Sequence, residues 1–431
     1  MPRRFLLAAR TFGILVCCSA AANSAPLLPD GPGDGSRWVE TWGSAQMVPG
    51  QQDALPAAQW RDATLRQIVR VSLGGAQLRV RVSNVFGTQP LVLDAASVAL
   101  SAGPGRADVD SASLRPLRFD GHAGVTIPAG AEYVSDPVEF TLSAGADLAV
   151  SMRFHAEPAR QSGHPGARAT SFIAQGDRVL DARWPRTDRV EHWYQLAGVE
   201  VLAAPGVHTV AAIGDSITDG HGATTDGNDR WTDALALRLR ANAINDVGVV
   251  NTGIGGGRLL LDGLGPNLAS RFERDVLARA GVSHAVVMIG VNDLGVQHKN
   301  KEDSPAGRAS LLADLRQAHR QLVQAAHARG VCVIGATITP YAGSGYYAPG
   351  ADNEQDRQSY NKWIRESGVF DGVADFDAAL RDPARPDRIL KPYDSGDGLH
   401  PSPAGFRAMA DAVPLADLKT CRIASRPQVR R

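Results

Sequence analysis

The chain changes its hydrophobic rhythm once, near its middle. From about Trp38 to Leu202 apolar and polar positions alternate, as in Leu78, Val80 and Val82 against Arg79, Arg81 and Ser83. Period-two alternation is the mark of a strand with one buried face. The run Val69, Val71, Leu73 joins this segment through Gly74-Gly75 and predicts a β-hairpin. Val138, Phe140, Leu142 and then Leu148, Val150, Met152, Phe154 repeat the pattern, with turn residues between them. No stretch in this half predicts a long helix, so a β-rich domain of sandwich or jelly-roll type is expected over 37–203.

Beyond Ala203-Ala204-Pro205-Gly206 the order becomes strand, loop, helix, repeated. Apolar strand candidates are Val207–Ile213, Val247–Val250, Ala285–Ile289, Val331–Ala336 and Val369–Phe376. Trp231–Leu239, Leu311–Ala328 and Pro403–Ala412 predict helices. Alternating βα units imply a parallel sheet covered on both faces, an α/β fold whose chemistry gathers at the carboxyl ends of the strands. The second domain is expected over 207–415, with a short tail at 416–431.

The first 25 residues read differently from both halves. Arg3 and Arg4 precede the apolar runs Phe5–Ala9 and Thr11–Val16, and small residues fill Ser19–Ala25. That is the order of a secretory signal peptide. Arg10 interrupts the run that a membrane anchor needs. A secreted or periplasmic protein with no stable membrane anchor is therefore expected, and it changes the charge balance. The whole chain of 431 residues has 45 basic and 45 acidic side chains; without residues 1–25, which hold three arginines and no acid, the net charge is −3. A mildly acidic protein without a basic stripe is not a nucleic-acid binder in expectation. Of the four cysteines, Cys332 and Cys421 remain. They can pair in an oxidising compartment, but Cys332 in a buried strand and Cys421 near the terminus read as two separate thiols. No CxxC or Cys/His cluster predicts a metal site, and His221, His284, His298, His319 and His327 have no ligand spacing.

The chemistry-bearing residues stand at the ends of the predicted strands. Gly214-Asp215-Ser216 follows the first; a serine there exposes its hydroxyl and places its N–H at a helix N-terminus. Asn251-Thr252-Gly253-Ile254-Gly255-Gly256-Gly257 follows the second. It is not a dinucleotide fingerprint, whose third glycine is replaced by Arg258. Gly290-Val291-Asn292-Asp293 follows the third and supplies an uncharged amide donor. Asp397-Gly398-Leu399-His400 lies near the C-terminus, at a spacing that lets a carboxylate fix an imidazole. Asp215 and Asp293 are expected to tie down loop N–H groups, and Trp38 and Trp42 to lie in the domain core. Tyr341, Tyr346 and Tyr347, in a loop after the fourth strand, are candidate substrate-binding aromatics for a sugar or an acyl group.

These four blocks together resemble the SGNH (GDSL-type) hydrolases, a family of esterases and lipases, over about residues 207–415. The resemblance implies a flavodoxin-like three-layer α/β/α domain. It implies Ser216 as nucleophile, His400 as base and Asp397 as its partner. The Ser216 and Gly256 N–H groups and the Asn292 amide would form the oxyanion hole, with Gly255 and Gly257 as alternatives to Gly256. Arg258-Leu259-Leu260, Arg271–Leu277 and Tyr393–Asp397 are similar to a secreted bacterial branch that includes acetylxylan-esterase-like proteins and also has a β-rich N-terminal region. The expected activity is hydrolysis of a small ester or acetylated glycan, with no metal or organic cofactor. The alternatives are a lipolytic enzyme such as a lysophospholipase or arylesterase, and a non-catalytic glycan-binding protein.

Overall fold

The computed structural model describes residues 35–421 and 423. The signal peptide expected at 1–25 and most of the tail lie outside them. Among the described residues no helix is long and apolar enough to cross a membrane.

The first half forms two antiparallel sheets around one core. One contains Arg37–Gly43, Leu196–Ala203 and Gly75–Ser83, with Glu132–Val134 and Val138–Leu142 beside the last. The other runs Asp188–Val190, Ser171–Gln175, Ala63–Arg70, Asp147–Phe154, Ala95–Leu100, Arg115–Pro116. Leu65, Val69, Leu148 and Val150 from one sheet meet Val80, Val82, Val199 and Val201 from the other, all buried. This is the arrangement of a β-sandwich.

The expected hairpin through Gly74-Gly75 does not form. Ala63–Arg70 pairs with Asp147–Phe154 and Ser171–Gln175, whereas Gly75–Ser83 pairs with Leu196–Ala203. The chain crosses between the sheets at 71–74: the Val71 N–H still bonds Ala146 O, while the Ser72 N–H already bonds Thr41 O in the opposite sheet. Alternation tells which face of a strand is buried but not which strand it pairs with. Two strands facing one core from opposite sides therefore read like neighbours in one sheet.

The second half is a five-stranded parallel sheet. Its strands are β1 (His208–Gly214), β2 (Val247–Asn251), β3 (Val282–Met288), β4 (Cys332–Ala336) and β5 (Gly372–Ala374), in the order β2-β1-β3-β4-β5. That is the flavodoxin-like doubly wound order. β1 is buried along its whole length, as a strand covered on both faces must be. Helices Trp231–Ala241, Phe376–Leu380 and Pro403–Ala412 contact one another as one layer. Leu268–Phe272, Pro305–Ala328, Val291–Lys299 and Ala351–Glu366 form the other. Ser304 starts the long helix by accepting the Gly307 N–H, with Pro305 in its first turn. Leu312, Leu315, Leu322, Val323 and Ala326 make its buried stripe.

Cys332 and Cys421 form a disulfide with their Cα atoms 5.4 Å apart. This corrects the expectation of two separate thiols. The final 3₁₀ turn Leu415–Leu418 brings the terminus back beside the start of β4, a proximity that 89 residues of separation conceal in the sequence.

Candidate functional site

β1 and its two neighbours β2 and β3 end together, and the connections leaving them on opposite sides open a crevice at this edge. Asp215 follows β1 and caps the turn Ser216–Asp219, accepting the Ile217 N–H at 3.0 Å. The cap puts Ser216 at the head of the turn, where backbone N–H groups have no intrahelical acceptor. Ser216 Oγ lies 2.8 Å from His400 Nε2, and His400 Nδ1 lies 2.6 Å from Asp397 Oδ2. The other Asp397 oxygen accepts the Leu399 and His400 N–H groups at 2.9 and 2.8 Å. Burial pushes the Asp397 carboxyl up, but the side-chain and backbone hydrogen bonds from His400 outweigh it and hold the group well below the usual carboxylate range. An ionised Asp397 fixes the Nδ1–H tautomer, which leaves Nε2 able to take the serine proton.

The loop after β2 and the start of the helix after β3 face this serine. Asn292 is buried; its Nδ2 donates to Gly257 O at 2.8 Å and its Oδ1 accepts the Tyr347 hydroxyl at 2.6 Å. These bonds set the orientation of the amide and leave its second N–H available. Gly256 has φ +65°, a left-handed conformation that suits glycine. The Gly255 N–H is bound by Asp219 Oδ2 at 3.0 Å and the Gly257 N–H by Ile254 O at 3.0 Å.

The flanking acids hold loops, as their positions in the sequence imply. Asp293 accepts the Leu259 N–H at 2.9 Å. Burial pushes the Asp215 carboxyl up to about 7 and that of Asp293 up to about 6.

The tyrosine loop differs from its expected role. Tyr341 is wholly buried and Tyr347 nearly so, with its hydroxyl on Asn292, so neither offers a face to a solute. Tyr346 is 64% exposed, but Lys299 Nζ sits 3.6 Å from its ring centroid. In a loop that closes over the end of a parallel sheet, aromatic side chains turn inward to bury area. Trp42 is in the sandwich core, edge-on to Trp193 at 4.8 Å, while Trp38 is half-buried under the Arg79 guanidinium.

His221, which has no ligand spacing in the sequence, places its ring 4.0 Å from that of His400. Its Nε2 is 4.0 Å from Asp397 Oδ2, and Arg168 of the sandwich donates to its Nδ1 at 3.0 Å. Burial, His400 and the Arg168 guanidinium push its pKa down. Its position five residues after Ser216, one tight turn on, was the available signal. Arg271, the first residue of the segment Arg271–Leu277, is buried beneath both loops and donates to Gly214 O at 2.9 Å and Thr252 O at 2.6 Å.

Residues 212–408 match the GDSL-like Lipase/Acylhydrolase family. This part of the chain is a GDSL-like acylhydrolase domain. The acylhydrolase domain makes the chain a carboxylic ester hydrolase. Solved structures similar to it include an acetylxylan esterase from Geobacillus stearothermophilus, 22% identical over 48% of this chain and 91% of that one, with a TM-score of 0.35. A GDSL-like lipase from Bacteroides thetaiotaomicron is 17% identical over 50% and 89%, with a TM-score of 0.36. A carbohydrate acetylesterase family member from Sinorhizobium meliloti is 18% identical over 49% and 98%, with a TM-score of 0.37. No curated protein matches the chain.

Proposed function

We propose that this acylhydrolase is an exported serine esterase that removes short acyl groups, acetyl above all, from a hydroxyl-rich alcohol such as a carbohydrate. The observation that carries the mechanism is the continuous Ser216–His400–Asp397 hydrogen-bond chain, 2.8 and 2.6 Å. Ser216 Oγ attacks the ester carbonyl as His400 Nε2 takes its proton. The Ser216 and Gly256 N–H groups and the Asn292 amide hold the tetrahedral oxyanion. Of the three adjacent glycines, Gly255 and Gly257 already have acceptors for their N–H groups, which favours Gly256. The C–O bond then breaks, the proton on His400 passes to the leaving alcohol, and water activated by His400 releases the acid and Ser216.

The leaving alcohol must depart on the His400 side. The half-exposed His221, its Arg168 partner and the exposed edge of Asp397 form a polar rim there, which suits a sugar hydroxyl. The acyl group faces the glycine loop, where the exposed Leu264 stands against Gly256. Leu264 and the exposed Leu261 also favour the second reading, a lipolytic enzyme that takes longer acyl chains. Export is supported by the N-terminal pattern and by the Cys332–Cys421 disulfide, a bond that persists in oxidising compartments.

A series of p-nitrophenyl esters from acetate to octanoate, assayed with the wild type and Ser216→Ala, tests the reading. Acetate hydrolysis abolished in the variant supports it, and equal rates would sink Ser216 as nucleophile. Preference for octanoate would favour the lipolytic alternative. Acetate release from acetylated xylan, set against other acetylated glycans, identifies the alcohol. N-terminal sequencing of the protein from the periplasm or medium tests export.

A further inference from the structure

The β-sandwich reaches into the acylhydrolase site through a buried contact. Gly163–His164 pairs with Trp193–Tyr194 in a two-residue ladder, which carries the His164 ring to the domain boundary. There His164 Nδ1 is 2.8 Å from Ala45 O and Nε2 is 2.8 Å from Asp219 Oδ1. Both ring nitrogens thus face oxygens, so the ring bridges the sandwich backbone and the Asp219 carboxyl by two buried hydrogen bonds. His164 and Asp219 are 4% and 5% exposed. The second Asp219 oxygen accepts the Gly255 N–H at 3.0 Å, and the next residue is Gly256.

A second feature converges on the same carboxylate. A Cβ on Gly166 would overlap the Asp219 side chain, so the sandwich backbone itself walls Asp219 in. The carboxylate is held from one side by the imidazole and from another by the chain at Gly166. It can hold the Gly255 N–H only in this position.

We infer that His164 of the β-sandwich is a positioning residue for the oxyanion side of the site, acting through Asp219 on the Gly255–Gly256 loop. The catalytic consequence rests on the esterase reading above; the positioning itself does not. An oxyanion donor is useful only where it meets the developing charge, and a displacement of about 1 Å can cost about 10²-fold. Without the imidazole, the buried Asp219 Oδ1 loses its hydrogen-bond partner, and the side chain turns away from Gly255.

The test uses His164→Gln, His164→Asn and Gly166→Ala in the full-length protein. A glutamine amide nitrogen lies near where Nε2 was and keeps the bond to Asp219, while an asparagine nitrogen lies near Nδ1 and reaches only Ala45. On p-nitrophenyl acetate, His164→Asn and Gly166→Ala should lower kcat by about 10- to 100-fold with KM little changed, and His164→Gln should recover most of the rate. Hydrogen exchange of residues 252–258, read by mass spectrometry, gives an answer independent of activity. It should quicken in His164→Asn and Gly166→Ala and not in His164→Gln. Equal exchange in all three variants and the wild type overturns the positioning role. Normal loop exchange with an inactive wild type overturns the esterase reading instead. An unfolded His164→Gln, which keeps the Asp219 bond, would assign His164 to stability and overturn the proposal as well.

Discussion

Replacing Arg271 with methionine removes the side chain that ties the bases of both site loops together. The guanidinium is buried and donates to Gly214 O, one residue before the Asp215 cap of Ser216, and to Thr252 O, at the entrance to the glycine loop. It also pairs with Asp275 Oδ2 at 3.0 Å. Methionine fills similar volume but satisfies none of these acceptors. Gly214 O keeps a second donor in the Ile254 N–H at 3.1 Å, and Asp275 keeps Arg274 at 2.7 Å, so the loss is limited to the Thr252 carbonyl and to one cation of a shared cluster. Breaking a buried pair by removing one partner costs about 3–5 kcal/mol, and the retained partners place Arg271→Met at the lower end, about 3 kcal/mol. That is a large share of a total stability of roughly 5–15 kcal/mol. Arg271→Lys keeps the charge but reaches fewer of the acceptors, so about 1–2 kcal/mol is expected. Urea unfolding followed by tryptophan fluorescence reads both values. At a temperature where both variants stay folded, kcat on p-nitrophenyl acetate should fall in the same order. An Arg271→Met protein within about 1 kcal/mol of the wild type, with unchanged kcat, would refute the assignment.

Further outcomes follow from other contacts. Under the proposed mechanism Asn292→Ala removes an oxyanion donor and should lower kcat by ~10²–10³ with a smaller change in KM, read by steady-state kinetics. Tyr347→Phe leaves the ring packed but frees the Asn292 amide to turn, so kcat should fall about tenfold, roughly the worth of one buried hydrogen bond; equal kcat would show that Gly257 O alone fixes the amide. Cys421→Ser opens the Cys332–Cys421 link across 89 residues and should cost about 2–5 kcal/mol in chemical denaturation, an effect dithiothreitol should reproduce in the wild type. The folded state raises the Asp215 carboxyl to about 7, above its unfolded value near ~3.9. The folded protein therefore binds the extra proton between these values, and this group's contribution to stability declines as pH rises from about 4 to about 7. Asp215→Asn keeps an oxygen for the Ile217 N–H and should flatten that decline in unfolding curves taken at stepped pH.

How much of this was legible in the sequence follows from the range of each interaction. The strand ends and the short motifs after them could be read because a serine, an asparagine or a histidine at a strand end is placed by its own strand and a few neighbouring residues. The helices Val291–Lys299 and Ala351–Glu366 could not. The first begins inside a motif, and the second buries Arg357 and Asn361 beside Tyr360 and Ile364, so no apolar stripe announces it. Contacts between distant segments were the least visible: the false hairpin at Gly74-Gly75, the disulfide, and the inward turn of Tyr341 and Tyr347 each depend on a partner far along the chain.

The boundary between the halves is where this matters most. Composition and rhythm divide the chain into a β-rich half and a half with chemistry, yet the structure runs buried charge across the division. Arg279 meets Glu40 at 2.8 Å and also donates to Ala197 O and Ser44 O of the sandwich, and Arg274 donates to Gln46 O. Asp275 then links Arg274 and Arg279 to Arg271 beneath the two site loops. A charge left without its partner in such an interior costs several kcal/mol, so separating the halves would strand Glu40 and Arg279 together. The two halves should therefore unfold as one cooperative unit. The sandwich, which carries none of the four motifs, is then part of what holds the serine and glycine loops in place.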